Sequence, residues 1–303
     1  DGHDIVGVFE RLFETAQVKI LLNTHVVQVE KTNDTFLIRT KGSDTPLKVD
    51  RLVLTTGGQA YRHTGSTGDG YAFATALGHS LTPLAPSLNA FFTREKWPTE
   101  ISGLSFPSAC ITAKRGKDFS FTGPFLFTHK GVSGPAVFAL SSLVAFEQYN
   151  ASEPLLITID LFPREALEEF RLRFNTLIEQ HGHKQLKSVL SLLIPKSLTE
   201  ILLQQLGIVY TPAANQVPKK DRERILSWLK AISLTVIQRG AGDEFVTAGG
   251  VPLVEVNPST MESRLCPGLF FAGEILDIDG FTGGFNLQAS WATGHLAGLH
   301  ILQ

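Results

Sequence analysis

Apolar residues fall at Ile5, Val8, Phe9, Leu12 and Ala16, the spacing of one helical face, and predict an opening helix over residues 4–16. The pattern then shortens. From Val18 to Gly58, β-rich runs alternate with Asn, Asp, Gly and Pro turns, and "RLVLTTGG" reads as a buried strand ending in two glycines. "GSTGDGYAFATALGHS" reads as a loop feeding a helix from about Gly68 to Leu77, stopped at Gly78. At Leu84, between Pro83 and Pro86, the texture changes to irregular short strands dense in Phe and Pro, as in a small antiparallel β unit. Within it "SGPAVFALSSLVAF" predicts a helix with Ser133 as N-cap and Pro135 in its first turn. After the strand "LLITIDL", apolar sets at helical spacing start at Leu167, Leu186, Leu198 and Ile225 and predict a bundle of short amphipathic helices. Strand character returns at "SLTVIQRG" and "EFVTAGGVPLVEV", and the chain closes on "GLFFAGE" and a helix of small residues.

This order is α/β, then a mixed insert, then α/β again. We therefore expect a discontinuous domain, residues 1–83 and 244–303, interrupted by an insert over 84–243. Its β-barrel part would span about 84–162 and its helical part about 163–231. Because the chain opens at Asp1, already inside a helical pattern and without Met, a preceding segment of a longer protein is expected.

Composition narrows the function. Apolar residues make up 43% and charged residues 18%, a globular balance. A net charge of −2 with scattered Lys and Arg offers no basic stripe, so neither nucleic acid nor an anionic membrane is expected as a partner. No apolar run approaches the roughly 18–20 residues of a membrane span. Cys110 and Cys266 have no CxxC companion, which fits a reducing cytoplasm and weighs against a structural metal.

Three stretches share one design, an apolar strand with glycines at its C-terminal end and a helix start beyond: "LVLTTGG" with "TGSTGDG", "VTAGGV", and "LFFAGE" with "GFTGGFNLQ". In open α/β sheets ligands bind outside the carboxyl ends of strands. Glycine there permits close backbone approach, and a helix N-terminus offers free N–H groups and partial positive charge. Each glycine pair alone reads as a tight turn before a ligand contact.

Taken together, "LVLTTGGQAYRHTGSTGDGYAFATALGH", "LFTHKGVSGPA", "VTAGGV" and "TMESRLCPGLFFAGEILDIDGFTGGFNLQASWATGHLAG" resemble a bacterial FAD-dependent oxidoreductase family. That family includes the aminoacetone-oxidase-like and BaiN-type bile-acid dehydro-reductase-like proteins. The resemblance runs from about residue 1 to the C-terminus and implies a Rossmann-like FAD domain interrupted by a β-barrel and helices. The family's N-terminal βαβ unit with its GxGxxG loop does not occur between Asp1 and Gln303, so an incomplete Rossmann-like domain is expected, with FAD bound by the intact protein and this segment alone inactive. By the same resemblance Thr56, Gly57 and Gly58 lie against the dinucleotide, and Val26 lies where relatives hold the adenine. Gly273 and Glu274 approach the ribityl and pyrophosphate region, and Gly283, Gly284, Phe285, Asn286 and Leu287 lie at the flavin pyrimidine edge.

The implied activity is hydride transfer at flavin N5 to or from a small organic substrate, with any NAD(P)H bound only transiently. Its rivals are a flavin oxidase using O2 and a non-catalytic flavin-binding or redox-sensing module. No general acid is assigned. His129, followed by a glycine turn and a helix start, reads as packing between insert and domain before a proton donor facing the flavin. Asp277 and Asp279 read as surface or cap residues before a catalytic pair. Phe119, Phe121, Phe125 and Phe127 alternate in strand fashion as barrel core before a substrate cage.

Overall fold

The computed structural model describes residues 2–208, 213–240 and 245–302. Helix α1 (Gly2–Thr15) forms where the apolar spacing predicts it but buries none of its residues, and Ile5, Val6 and Leu12 stay more than half exposed. Strands β1 (Val26–Thr32), β2 (Thr35–Thr40) and β3 (Leu47–Val49) form an antiparallel sheet. Its register is set by a two-residue turn, with Thr32 opposite Thr35, and it buries Val29 and Phe36. Strand β4 (Leu52–Leu54) runs into the TTGG turn, and α2 (Asp69–Ala76) follows with Gly68 as its N-cap.

Strand β5 (Ala85–Ser87) leads into the insert. There β6 (Phe91–Thr93), α3 (Trp97–Glu100), β7 (Ser105–Arg115), β8 (Lys117–Thr128), β9 (Gly131–Ser133), α4 (Pro135–Leu143) and β10 (Leu155–Asp160) follow in order. Four helices come next: α5 (Leu167–His181), α6 (Leu186–Leu190), α7 (Lys196–Gln205) and α8 (Lys219–Lys230). Each turns the apolar set seen in the sequence inward, as with Phe170, Phe174 and Ile178 on α5. Strand β11 (Ile232–Arg239) then closes a six-stranded barrel in the order β10-β11-β6-β9-β8-β7. Closure leaves no free strand edge, and the helices sit in the connection between two adjacent barrel strands.

Phe125 and Phe127 are barrel core, while Phe119 and Phe121 on the same strand are only partly buried. The N-cap of α4 is Gly134, one residue beyond the expected Ser133, which pairs in β9 with Leu126 instead. Gly134 has φ 103, and a side chain there would press on Leu126 and on the backbone of Phe125.

Beyond the insert, β12 (Val246–Ala248) pairs antiparallel with β5, so the two strands linking insert and first domain brace one another. Strand β13 (Leu269–Phe271) pairs parallel with β4 in the register Leu52–Leu269 and Leu54–Phe271. The chain ends on α9 (Phe285–His300). The parallel register matters for the site, because it brings TTGG and "AGE" side by side at the carboxyl ends of two adjacent strands. Among the described residues no helix is long and apolar enough to cross a membrane.

Candidate functional site

A cleft of about 460 Å³ opens at the carboxyl end of β13, within the roughly 300–1,000 Å³ usual for cofactor and ligand pockets. One wall is Gly273, Glu274 and the loop and first turns of α9, including Thr282, Gly283, Gly284, Asn286, Leu287 and Ser290. Tyr61, Leu88, Phe245, Val246, Ile278 and Phe281 line the rest of the cleft.

The α9 wall is built from backbone. Gly284 is the N-cap, with φ 85, and no side chain caps the helix, so the first-turn amides have no partner within it. A Cβ on Gly284 would meet nothing within 4 Å, and one on Gly273 would come no closer than 3.6 Å to any atom, that of Ser290. Gly284 therefore borders open space while Gly273 packs on Ser290, and both have the left-handed φ that favours glycine. Asn286 holds the loop. Its Oδ1 accepts from the Gly280 N–H at 2.7 Å and its Nδ2 donates to the Gly280 carbonyl at 2.8 Å.

The other glycines have a different purpose. On Gly58 a Cβ would lie 2.5 Å from Thr247 Oγ1 and 2.8 Å from Glu274 Oε1, and on Gly57 it would lie 2.7 Å from Ser66 Oγ. The space these glycines leave is filled by the protein's own side chains. Thr247 is the hub of that packing. Its hydroxyl accepts from the Gln59 N–H at 2.7 Å and the Ala60 N–H at 3.1 Å, and its N–H donates to Glu274 Oε1 at 2.7 Å. Burial raises the Glu274 pKa above the usual carboxylate range, opposed by its bonds from Thr247. Tyr71 is buried with no partner for its hydroxyl among the described residues, and its pKa is pushed up to about 12 by burial, then by Glu274 and Asp277.

Val26 and Thr56 do not line this cleft. They meet in a separate groove of about 220 Å³ along β4, shared with Val29, Ile38, Leu52 and Phe73. His129 is exposed in the turn between β8 and β9 and lines neither space. Asp279 joins the two halves of the chain. Its Oδ2 accepts from Ser87 Oγ and Ser142 Oγ, both at 2.9 Å.

Sequence reading missed Tyr61, Leu88, Phe245 and Phe281. Tyr61 and Leu88 have φ 53 and φ 59, left-handed values that cost a bulky L-residue about 1–2 kcal/mol each. No residue type or spacing marks that conformation in advance. Phe121 offered a partial signal, since its place on the barrel's aromatic strand puts its ring 5.2 Å from Phe281.

The arrangement suits a flat, electron-accepting ring. The N-terminal end of α9 carries about half a positive charge and stabilises negative charge at a bound ring by roughly 0.3–2 kcal/mol. Glu274, Thr282, Asn286 and Ser290 supply a few polar atoms in an otherwise apolar cleft. The residues present fit the isoalloxazine end of a flavin, whose reduced form carries such charge at its pyrimidine edge.

The chain is similar to known bacterial proteins along nearly its whole length. It is 32% identical to a 3-dehydro-bile acid delta(4,6)-reductase of Clostridium scindens, over 97% of this chain and 72% of that protein. It is 34% identical to a ribosomal RNA dihydrouridine synthase of Haemophilus influenzae, over 99% of this chain and 73% of that protein. To the Escherichia coli protein of the same description it is 32% identical, over 96% of this chain and 70% of that protein. The HI0933-like protein Rossmann domain matches residues 1–300, and with these similarities it places the chain in that family.

Proposed function

We propose that this protein is an FAD-dependent reductase that saturates a carbon–carbon double bond conjugated to a carbonyl in a small ring compound. The observation that carries the reading is the uncapped N-terminus of α9 with Gly284, beside Gly273, at a cleft that is open among the described residues. The similar proteins support the reaction class. The name of one describes reduction of a 3-dehydro compound with 4,6 double bonds, and the name of the other describes a product that is uridine with one ring double bond saturated. Both compounds present a C=C bond in conjugation with a ring carbonyl.

When bound, reduced FAD supplies the hydride equivalent from N5, the reactive position the protein must orient toward substrate. The first-turn amides of α9 would hold the pyrimidine edge of the flavin and would favour its reduced, negatively charged form. Asn286 fixes the Gly280–Gly284 loop so that those amides keep their direction. Glu274, held by Thr247, would accept a hydrogen bond from the flavin's ribityl chain. Leu88, Phe245 and Phe281 keep water from the ring face. Electrons reach the cofactor from a nicotinamide that binds transiently, and the protein acts in the cytoplasm.

The test is anaerobic reduction of the FAD-loaded protein by NADPH or NADH, followed by addition of a steroid 4,6-dien-3-one, uridine or ribosomal RNA. Reoxidation of the flavin with formation of the saturated product is the expected result. Peroxide formation on admitting air, without alkene reduction, would make the protein an oxidase. A bound flavin that responds to none of these would make it a binding module.

A further inference from the structure

Tyr61 and Leu88 both hold left-handed backbone conformations that bulky residues avoid, and both line the same cleft. They come from distant parts of the chain, one just beyond the TTGG turn and one at the end of β5. Left-handed non-glycine residues concentrate at ligand sites, where the surroundings over-determine an unfavourable backbone. For Tyr61 those surroundings are visible. Thr64 donates twice to the Tyr61 carbonyl, from its N–H and from its hydroxyl, each at 2.8 Å. The Tyr61 ring meets Phe245 edge-on at 6.0 Å, and Phe245 meets Phe138 of α4 edge-on at 5.2 Å. Yet Tyr61 and Phe245 remain 43% and 45% exposed, so this aromatic row, anchored on the barrel side, keeps ring surface free at the cleft.

We infer that Tyr61, with Phe245, is the specificity-determining wall of the cleft, presenting aromatic surface to a flat, carbonyl-conjugated six-membered ring and disfavouring the puckered ring left after reduction. The inference rests on the reductase reading and adds to it what selects the substrate and releases the product. Aromatic surface binds a flat ring better than a puckered one because only the flat ring makes contact across its whole face. The chemistry is shared by a nucleobase such as uracil and by a steroid enone.

Four probes are titrated by calorimetry into the full chain loaded with FAD: uridine, 5,6-dihydrouridine, a steroid 4,6-dien-3-one and its saturated 3-ketone. Wild type is expected to bind the flat member of at least one pair about tenfold more tightly, the scale of one aromatic contact. The pair that shows the preference identifies the source of the ring. Tyr61→Phe should keep the preference. Tyr61→Gly, which adopts the left-handed backbone without strain, should reduce it to within about twofold with FAD content and Tm no lower than wild type. A preference undiminished in Tyr61→Gly overturns the wall while leaving the reductase reading in place. Absence of any flat-ring preference in wild type, with FAD bound and double bonds reduced, overturns it as well. Failure of the intact protein to take up FAD removes the reductase reading and the wall with it.

Discussion

Thr247 shows how one side chain can set the chemistry of another. With its hydroxyl already accepting from Gln59 and Ala60, the hydroxyl proton is left to point toward Glu274, which also accepts the Thr247 N–H. Burial still outweighs these bonds, and Glu274 binds its proton more tightly folded than unfolded. A raised carboxylate pKa contributes stability that is complete below the unfolded value and is lost as pH rises through the folded one. In the flavin-free chain, Glu274→Gln should therefore raise Tm at neutral pH and lose that advantage when the pH falls below the ordinary carboxylate range. Thermal melts across that span check the sign; an equal effect at every pH would mean that Glu274 is not held above its ordinary value. At this scale the sequence was only half legible. The glycines at 273 and 284 stood out because the motif concentrates glycine at a strand end. The reason for Gly58 did not, because its partner Thr247 lies on a strand that joins it only in three dimensions. Nor could Tyr61 be found, since Tyr carries no preference for φ 53.

Elements were more legible than residues, because hydrophobic period is a property of whole segments. The sets at Phe170, Leu186, Leu198 and Ile225 became buried helix faces, and the run "GLFFAGE" became a strand buried along Leu269–Phe271. Period says which face is apolar, not what covers it, and α1 shows the difference. Its apolar residues follow helical spacing, yet none is buried, and its Phe9 stacks on the exposed Trp291 of α9 at 5.5 Å. With Val18, Ile20, Leu21 and Leu22 also at least 46% exposed, residues 2–25 present apolar surface that a monomer rarely leaves bare. The 303-residue chain expressed alone should bind a hydrophobic dye such as ANS, and deletion of residues 1–25 should remove most of that signal without disturbing the barrel's far-UV spectrum. Unchanged dye binding after the deletion would place the sticky surface elsewhere.

For the whole molecule, the division of labour follows from topology. Parallel β4 and β13 bring two glycine-bearing strand ends together, the antiparallel β5–β12 pair returns the chain from the insert, and Asp279 ties the cleft loop to Ser87 of β5 and Ser142 of α4. On the proposed reading the cleft holds both the flavin ring and the substrate. A discontinuous arrangement was readable from the break in texture at Leu84. The contribution of β11 to the barrel was not, because strand pairing across the intervening helices leaves no local mark. The central claim, that the N-terminal end of α9 holds a flavin ring, is tested most directly by amide hydrogen exchange with and without FAD. Added FAD is predicted to slow exchange in the segment Gly283–Leu287 and at Gly273–Glu274 while leaving the barrel strands unchanged. Protection confined to the Val26–Thr56 groove, or none anywhere, would contradict it.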